Sequence, residues 1–280
     1  MPARDKLRLD QLVFERGLAQ SREQAKALVL AGKVKVGGIV VDKPGSGHPS
    51  DAVIEVERGD AYVSRGGEKL AHAVDTFKPR IRGLVAVDIG ASTGGFTDVL
   101  LREGADMVYA VDVGRGQLAW KLQQDVRVKV MDRTNARYLT AADFDPRPEF
   151  GTVDVSFISL SRILPALYDV LLPGGHAICL VKPQFEAGRE KVGKRGVVRS
   201  PEVHREVLEA CMGYAAASGF TVLGVTPSPI RGPEGNVEFL MYLAKPAQDA
   251  APHAGRPEQP DFAALAREAV ELAHAQRTDE

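Results

Sequence analysis

Asp88 is followed by Gly90, Ala91, Ser92, Thr93, Gly94 and Gly95, and then by Phe96 at the head of a second apolar stretch. With the apolar run Leu84–Val87 before it and Phe96–Leu101 after it, the segment spells strand, tight turn and helix. Two more aspartates, Asp112 and Asp132, close the next two apolar runs. In an open parallel sheet, residues at the carboxyl ends of strands face the ligand crevice. A carboxylate after the second strand suits a ribose diol, and one after the third suits an adenine amino group. The glycine spacing is neither G-x-G-x-x-G nor a phosphate loop ending in Lys-Ser/Thr, which disfavours dinucleotides and nucleotide phosphates. A glycine turn with carboxylates and no cationic clamp suits S-adenosylmethionine, whose sulfonium is cationic and whose adenosine carries no phosphate. A structural turn of a different nucleotide fold is the alternative this pattern leaves open.

The elements that would position these residues alternate between strand and helix. Strands are expected at Leu84–Asp88, Asp106–Asp112, Arg127–Val130, Val153–Ser156 and through "GGHAICLVKP". Helices are expected at 93–103, 117–124, 164–171 and 201–218. "FTVLGVTPSP" and "NVEFLMYLAK" are joined by a short connection and predict an antiparallel pair at the sheet edge. Mostly apolar strands between helices give an α/β class, a Rossmann-like sheet. Ahead of it, residues 1–60 read as a small α+β unit. Leu9, Leu12 and Val13 share a helical face that closes at Gly17, and Ser21 caps a second helix, with Gln24 three residues on, that ends at Gly32. "KVKVGGIVV" reads as a hairpin with a Gly-Gly turn. The expected organisation is 1–60, a linker and first helix at 61–83, the catalytic sheet at 84–246, and an Ala/Pro-rich tail at 247–280 that either docks a helix back or stays loose.

Charge is distributed unevenly. The 280-residue chain is nearly neutral at formal net −1, yet residues 1–43 hold nine Lys/Arg against five Asp/Glu. Arg4, Lys6, Arg8, Arg22, Lys26, Lys33 and Lys35 are candidates for one basic face that contacts phosphates without reading bases. A second basic stretch, residues 182–205, includes Arg189, Lys191, Lys194 and Arg195 between glycines, and reads as a mobile loop able to close over an RNA backbone. The two cysteines, Cys179 and Cys211, sit in apolar surroundings and suggest buried thiols in a reducing compartment. No histidine or cysteine shows metal spacing, so no metal is expected. The absence of a leader-like or membrane-spanning apolar run predicts a cytoplasmic protein without a membrane partner. Oligomeric state is not evident.

Two resemblances sharpen this reading. "RLDQLVFERGLAQSREQAKALVLAGKVKVGG" resembles the S4-type RNA-binding module of ribosomal proteins and rRNA-modifying enzymes. "GASTGGFTDVLL", "VDVGRGQLAW", "RTNAR", "DVSFISL", "LVKPQFE" and "GNVEF", in that order, resemble the TlyA-type family of S4-containing, FtsJ-like rRNA 2'-O-methyltransferases, some of whose members carry the label hemolysin. The resemblance implies S-adenosylmethionine as cofactor, ribosomal RNA or ribosomal subunits as partner, cytidine as the target in one or both subunits, and a Lys-Asp-Lys-Glu set at Lys69, Asp154, Lys182 and Glu238. Arg65, in the "SRGGEK" segment, joins the RNA-contacting candidates.

The chemistry is consistent with those positions. The methyl group is already activated, so the reaction needs in-line alignment and removal of the hydroxyl proton. Lys182 is the expected base or hydroxyl-orienting group, with Lys69 as a like charge nearby favouring its neutral form. Asp154 is expected to steer the ammonium, and Glu238 to hold a lysine or the ribose. Lys69 alone, in the first turn of a helix, would otherwise read as a surface lysine. Three rival classes are a catalytically inactive RNA binder, a membrane-active hemolysin and an RNA base methyltransferase. The intact set argues against the first. The second lacks an apolar or strongly cationic amphipathic segment, and the third lacks a well-placed cysteine for carbon methylation.

Overall fold

A computed structural model describes residues 6–19, 21–56, 62–247 and 258–275. The chain divides into two units, Met1–Ala61 and Tyr62–Glu280.

In the first unit β1 (Lys6–Arg8) leads into α1 (Leu9–Glu15), followed by α2 (Arg22–Leu30), β2 (Val34–Val36), β3 (Ile39–Val40), β4 (Gly47–Pro49) and β5 (Ile54–Val56). The Ser21 hydroxyl caps α2 by accepting from Gln24 N at 3.1 Å. Gly37 and Gly38 both take positive φ, +58° and +82°, which lets β2 turn tightly into β3. β2 is central, with β3 and β5 antiparallel on either side, and β1 pairs with β4. Leu9, Val13, Ala25, Val29 and Val34 form a small core.

The second unit begins with α3 (Gly66–Phe77) and continues through β6 (Val85–Ile89), α4 (Gly95–Arg102), β7 (Met107–Val111), α5 (Trp120–Gln123), β8 (Val128–Met131), β9 (Phe150–Val153) and α6 (Leu164–Val170). It ends with β10 (His176–Val181), α7 (Pro183–Glu186), α8 (Pro201–Ala217), β11 (Thr221–Pro227), β12 (Phe239–Ala244) and α9 (Phe262–Ala275). One seven-stranded sheet has the order β11-β12-β10-β9-β6-β7-β8. It is parallel except for β12, which lies antiparallel between β10 and β11. Leu70, Val99 and Leu122 of α3, α4 and α5 cover one face, and Leu164, Val207 and Val270 of α6, α8 and α9 cover the other.

The expected α/β class and the edge pair hold, with several differences in detail. The fourth strand is Phe150–Val153, earlier than the sequence pattern suggests. Its Gly151 and Thr152 mask the strand signal, yet a Cβ at Gly151 would come 2.8 Å from Leu167, and Thr152 is consumed by Asp88. Asp154–Ser156 therefore lies outside the sheet, free to line a site. β8 is an edge strand with Lys129 and Val130 exposed rather than a buried one. The C-terminal helix docks: Ala266, Ala269, Val270 and Ala273 are buried and α9 packs on α8 and β11, while Leu272 is exposed.

Candidate active site

The turn after β6 is built around a carboxylate that faces inward. Asp88 is fully buried and accepts from Thr97 Oγ1 at 2.7 Å and Thr152 Oγ1 at 2.9 Å. Burial outweighs those two hydrogen bonds and raises its carboxyl to about 6. Asp88 lines neither of the cavities described below. It braces the turn from beneath, which corrects its expected place among direct cofactor contacts. Gly90 N and Ala91 N donate to Val111 O at 2.8 and 3.1 Å, tying the turn to β7. Gly90 has φ +86°, and a Cβ there would lie 2.4 Å from Asp154 O, so the loops after β6 and β9 touch at a place that excludes any side chain.

Two cavities flank this contact. The smaller, about 210 Å³, is lined by Ser64, Gly66, Lys69, the Gly90–Thr93 turn, Gly95, Phe96, Asp154, Ser156 and Lys182. The larger, about 390 Å³, is walled by Ile89, Val111, Val113, Ala136, Val155, Ile158 and Ile163, with Asp112, Gln117, Thr134 and Asn135 as its polar groups. Gly90, Ser92, Asp154 and Ser156 line both. Among the described residues, no lysine or arginine lines the larger cavity. A largely apolar slot with two carboxylates, Asp112 and Asp154, and no cation fits an adenosine with a free diol and rejects a phosphate. The residues present thus fit S-adenosylmethionine.

Asp112 is set for the diol, accepting from Ser92 N at 2.8 Å and Gly114 N at 2.7 Å while keeping lone pairs free. Ser92 adopts φ +47°, local strain concentrated where the two cavities meet. Asp132 does not line the cavity. Its Oδ2 accepts from Gly116 N at 2.9 Å, so it orders the loop carrying Gln117, and Asn135 occupies the wall assigned to it from sequence. Gly94 also stays out of both linings. A Cβ there would come 2.2 Å from Leu122, so the glycine permits helix packing rather than ligand contact.

The four remaining candidates converge as two ion pairs. Lys69 Nζ donates to Glu238 Oε2 at 2.5 Å, and both side chains are buried, against the surface place that Lys69 alone would suggest. Lys182 Nζ lies 2.5 Å from Asp154 Oδ1 and donates to Ser156 Oγ at 3.1 Å. Asp154 Oδ1 is close to the ammonium without the alignment of a hydrogen bond, and Glu238 Oε1 has no partner among the described residues. Each lysine therefore has its own carboxylate, Asp154 at Lys182 and Glu238 at Lys69. The 156–161 loop is anchored by Glu186, which accepts from Ser159 Oγ at 2.7 Å and Leu160 N at 2.8 Å and whose carboxyl is raised by burial. Cys179 and Cys211 are free and buried, and burial pushes the Cys179 thiol up to about 12, so neither supplies a thiolate nucleophile.

The RNA-contacting candidates are less uniform. In the first unit Lys6, Arg22, Lys26 and Lys33 are exposed, with Arg22 and Lys26 one helical turn apart on α2. Lys35 is half-buried in β2, and Arg4 lies outside the described residues. Arg8 is engaged bidentately by Asp10, at 2.7 and 3.0 Å, and its charge is offset there. In the second unit Arg65, Arg189, Lys194 and Arg195 are exposed, while Lys191 pairs with Glu206. The loop from 188 to 199 is not as free as its glycines suggest. Asn236 accepts from Val198 N and donates to Gly196 O, and buried His204 contacts Val198 O through Nε2 at 3.1 Å. Ser156, Asn135 and Gln117 had no individual signal in the sequence. Only the proximity of Ser156 to Asp154 within "DVSFISL" pointed toward it.

Comparison with known proteins agrees with this geometry. Residues 62–245 match the FtsJ-like methyltransferase family and residues 7–46 match the S4 domain. The chain is 52% identical over 245 residues to YqxC of Bacillus subtilis, named as an rRNA methyltransferase candidate, covering 87% of each chain. It is 44% identical over 238 residues to the 16S/23S rRNA (cytidine-2'-O)-methyltransferase TlyA of Mycobacterium tuberculosis, covering 84% of this chain and 89% of that one. A solved structure of a hemolysin candidate from Streptococcus thermophilus superimposes with TM-score 0.74 at 45% identity, over 99% and 98% of the two chains.

Proposed function

The chain belongs to the FtsJ-like methyltransferase family, with an S4 domain at its start, and from that premise we propose that it transfers a methyl group from S-adenosylmethionine to a ribose 2'-hydroxyl of ribosomal RNA, at cytidine. The observation that carries this reading is the Lys182–Asp154 pair at the junction of an adenosine-sized cavity and a smaller acceptor cavity. Asp112 and the apolar wall of the larger cavity would hold S-adenosylmethionine, which would supply an electrophilic methyl. Lys182, held by Asp154 and Ser156, aims the 2'-hydroxyl in line and acts as the base that takes its proton. Asp154 then stabilises the ammonium that results. Lys69 is fixed by Glu238 and closes the far wall of the acceptor cavity. The wet-surface charges of the S4 domain hold the RNA without contributing to bond making.

A membrane-lysing role has no observation in its favour beyond the names of relatives. Among the described residues no helix is long and apolar enough to cross a membrane. Mapping of 2'-O-methyl groups in both ribosomal RNAs tests the reading. A strain lacking the gene is expected to lose methylation at a cytidine ribose in one or both subunits and to regain it on complementation. Unchanged ribose methylation in both RNAs would overturn the proposal.

A further inference from the structure

Beyond the acceptor cavity, the far side of the Lys69–Glu238 pair opens into a cavity of about 460 Å³ lined by Arg65, Ser228, Ile230, Arg231, Glu238 and Ala273, among others. Since Lys69 lines the acceptor cavity and Glu238 lines this one, the ion pair is the partition between them. A second cavity of about 330 Å³ shares Arg231 and Val237 with it and adds Arg199 and Glu234. A third, about 400 Å³, shares Val197 and Arg199 with the second and adds Lys191, Lys194 and Arg195. Shared lining residues set the three side by side, as a trough that runs from the catalytic partition to the basic loop.

The cations along the trough are largely uncompensated. Arg65, Arg231, Arg199, Lys194 and Arg195 have no ion pair among the described residues, whereas Lys191 is taken by Glu206. The Arg65 guanidinium donates to Arg231 O at 3.3 Å, so both arginines sit at one rim. A ligand phosphate would supply the counter-charge that these cations lack. Guanidinium groups present planar forks that match phosphate oxygens. The trough is also preformed, since Asn236 and His204 fix the 196–198 backbone that forms its floor.

We propose that this trough carries the single-stranded RNA on one side of the target nucleotide, with Arg65 and Arg231 on the phosphate beside the reacting ribose and Arg199, Lys194 and Arg195 on phosphates further out. The inference rests on the methyltransferase reading above and adds to it the path of the substrate. Three linked pockets, each within the size range that holds a small organic ligand, accept an unpaired strand one nucleotide at a time and do not admit a duplex. Contacts of this kind position the chain and leave base choice to the site itself.

The test uses the full-length protein with tritiated cofactor and ribosomal subunits from a strain lacking the modification. Arg231→Ala is expected to raise KM for RNA about tenfold with kcat within about threefold, and to make the log–log salt dependence of RNA binding shallower by about one unit. Arg231→Lys retains much of the affinity. Arg199→Ala behaves like a milder Arg231→Ala. Glu234→Gln, which removes the one carboxylate facing the middle of the trough, lowers KM. An unlabelled single-stranded RNA competes with wild type more strongly than its duplex, and Arg231→Ala erases that preference. Unchanged KM and salt slope in Arg231→Ala and Arg199→Ala would overturn the trough even if the ribose is methylated. Weakened RNA binding in those variants, with no ribose product from wild type, would keep the trough and remove the reaction assigned to it.

Discussion

The two units of this chain treat charge in opposite ways. The first builds a core of five fully buried apolar residues and leaves Lys6, Arg22, Lys26 and Lys33 in solvent. Its buried carboxylate, Asp10, is matched by Arg8. The second carries charge inward: Asp88 is fully buried, Glu238 and Asp98 nearly so, and Lys69 lies beneath the surface against Glu238. Exposed charges act at range, are screened by salt and are individually weak. Buried ones act in a low dielectric, cost desolvation and are held in fixed geometry. Capture of a polyanion needs the first arrangement, and alignment of a hydroxyl with a methyl group needs the second.

That contrast can be broken at its strongest points first. Gly90→Val puts side-chain atoms where even a Cβ would sit 2.4 Å from Asp154 O, between the two cavities. Calorimetry is expected to show cofactor affinity reduced by at least about 100-fold, roughly 3 kcal/mol, with RNA capture by the S4 domain retained. Cofactor affinity equal to wild type would place the ligand elsewhere. Glu238→Gln strands the Lys69 ammonium in a buried site and is expected to cost about 3–5 kcal/mol in urea unfolding. Asp154→Asn, at the more open pair, should cost less than half as much. Equal costs would contradict the difference in burial on which the comparison stands.

Asp88 gives a pH signature. Its folded carboxyl, at about 6, lies above the unfolded value of 3.8, so the folded state binds the proton more tightly. Its contribution to stability is full below pH 3.8 and is lost as pH rises through 6, by roughly 3 kcal/mol in all. Asp88→Asn should flatten stability over that window, measured as urea midpoints between those two pH values. A slope identical to wild type would assign the pH dependence to other groups. The smallest effect is expected outside the catalytic unit. Arg22→Ala with Lys26→Ala should weaken RNA capture and reduce its salt slope by about two units, with turnover at saturating RNA preserved.

The same contrast explains what the sequence could convey. Gly90, Ser92 and Asp112 were legible because a strand, a glycine turn and a strand-end carboxylate are local features. So were the Gly37-Gly38 hairpin and the Ser21 cap. The role of Asp88 was not, because a carboxylate at a strand end looks the same whether it faces the ligand or the two threonines beneath it. Lys69 could not announce its burial, since its partner is 169 residues away in sequence. Residue types alone did not single out Glu238 either; family resemblance did. Arg199 and Arg231 belong to different loops, and only the fold brings them to the walls of one cavity.

The most direct test of the account is nucleoside analysis of RNA labelled by the purified protein and tritiated S-adenosylmethionine, using ribosomal subunits from a strain that lacks the modification. Wild type should place the label in 2'-O-methylcytidine, and Lys182→Ala should lower that yield by ~10²–10⁴ at saturating RNA while binding RNA and cofactor normally. Label recovered in a methylated base, or Lys182→Ala turning over at the wild-type rate, would contradict the assignment of ribose methylation to the Lys182–Asp154 pair.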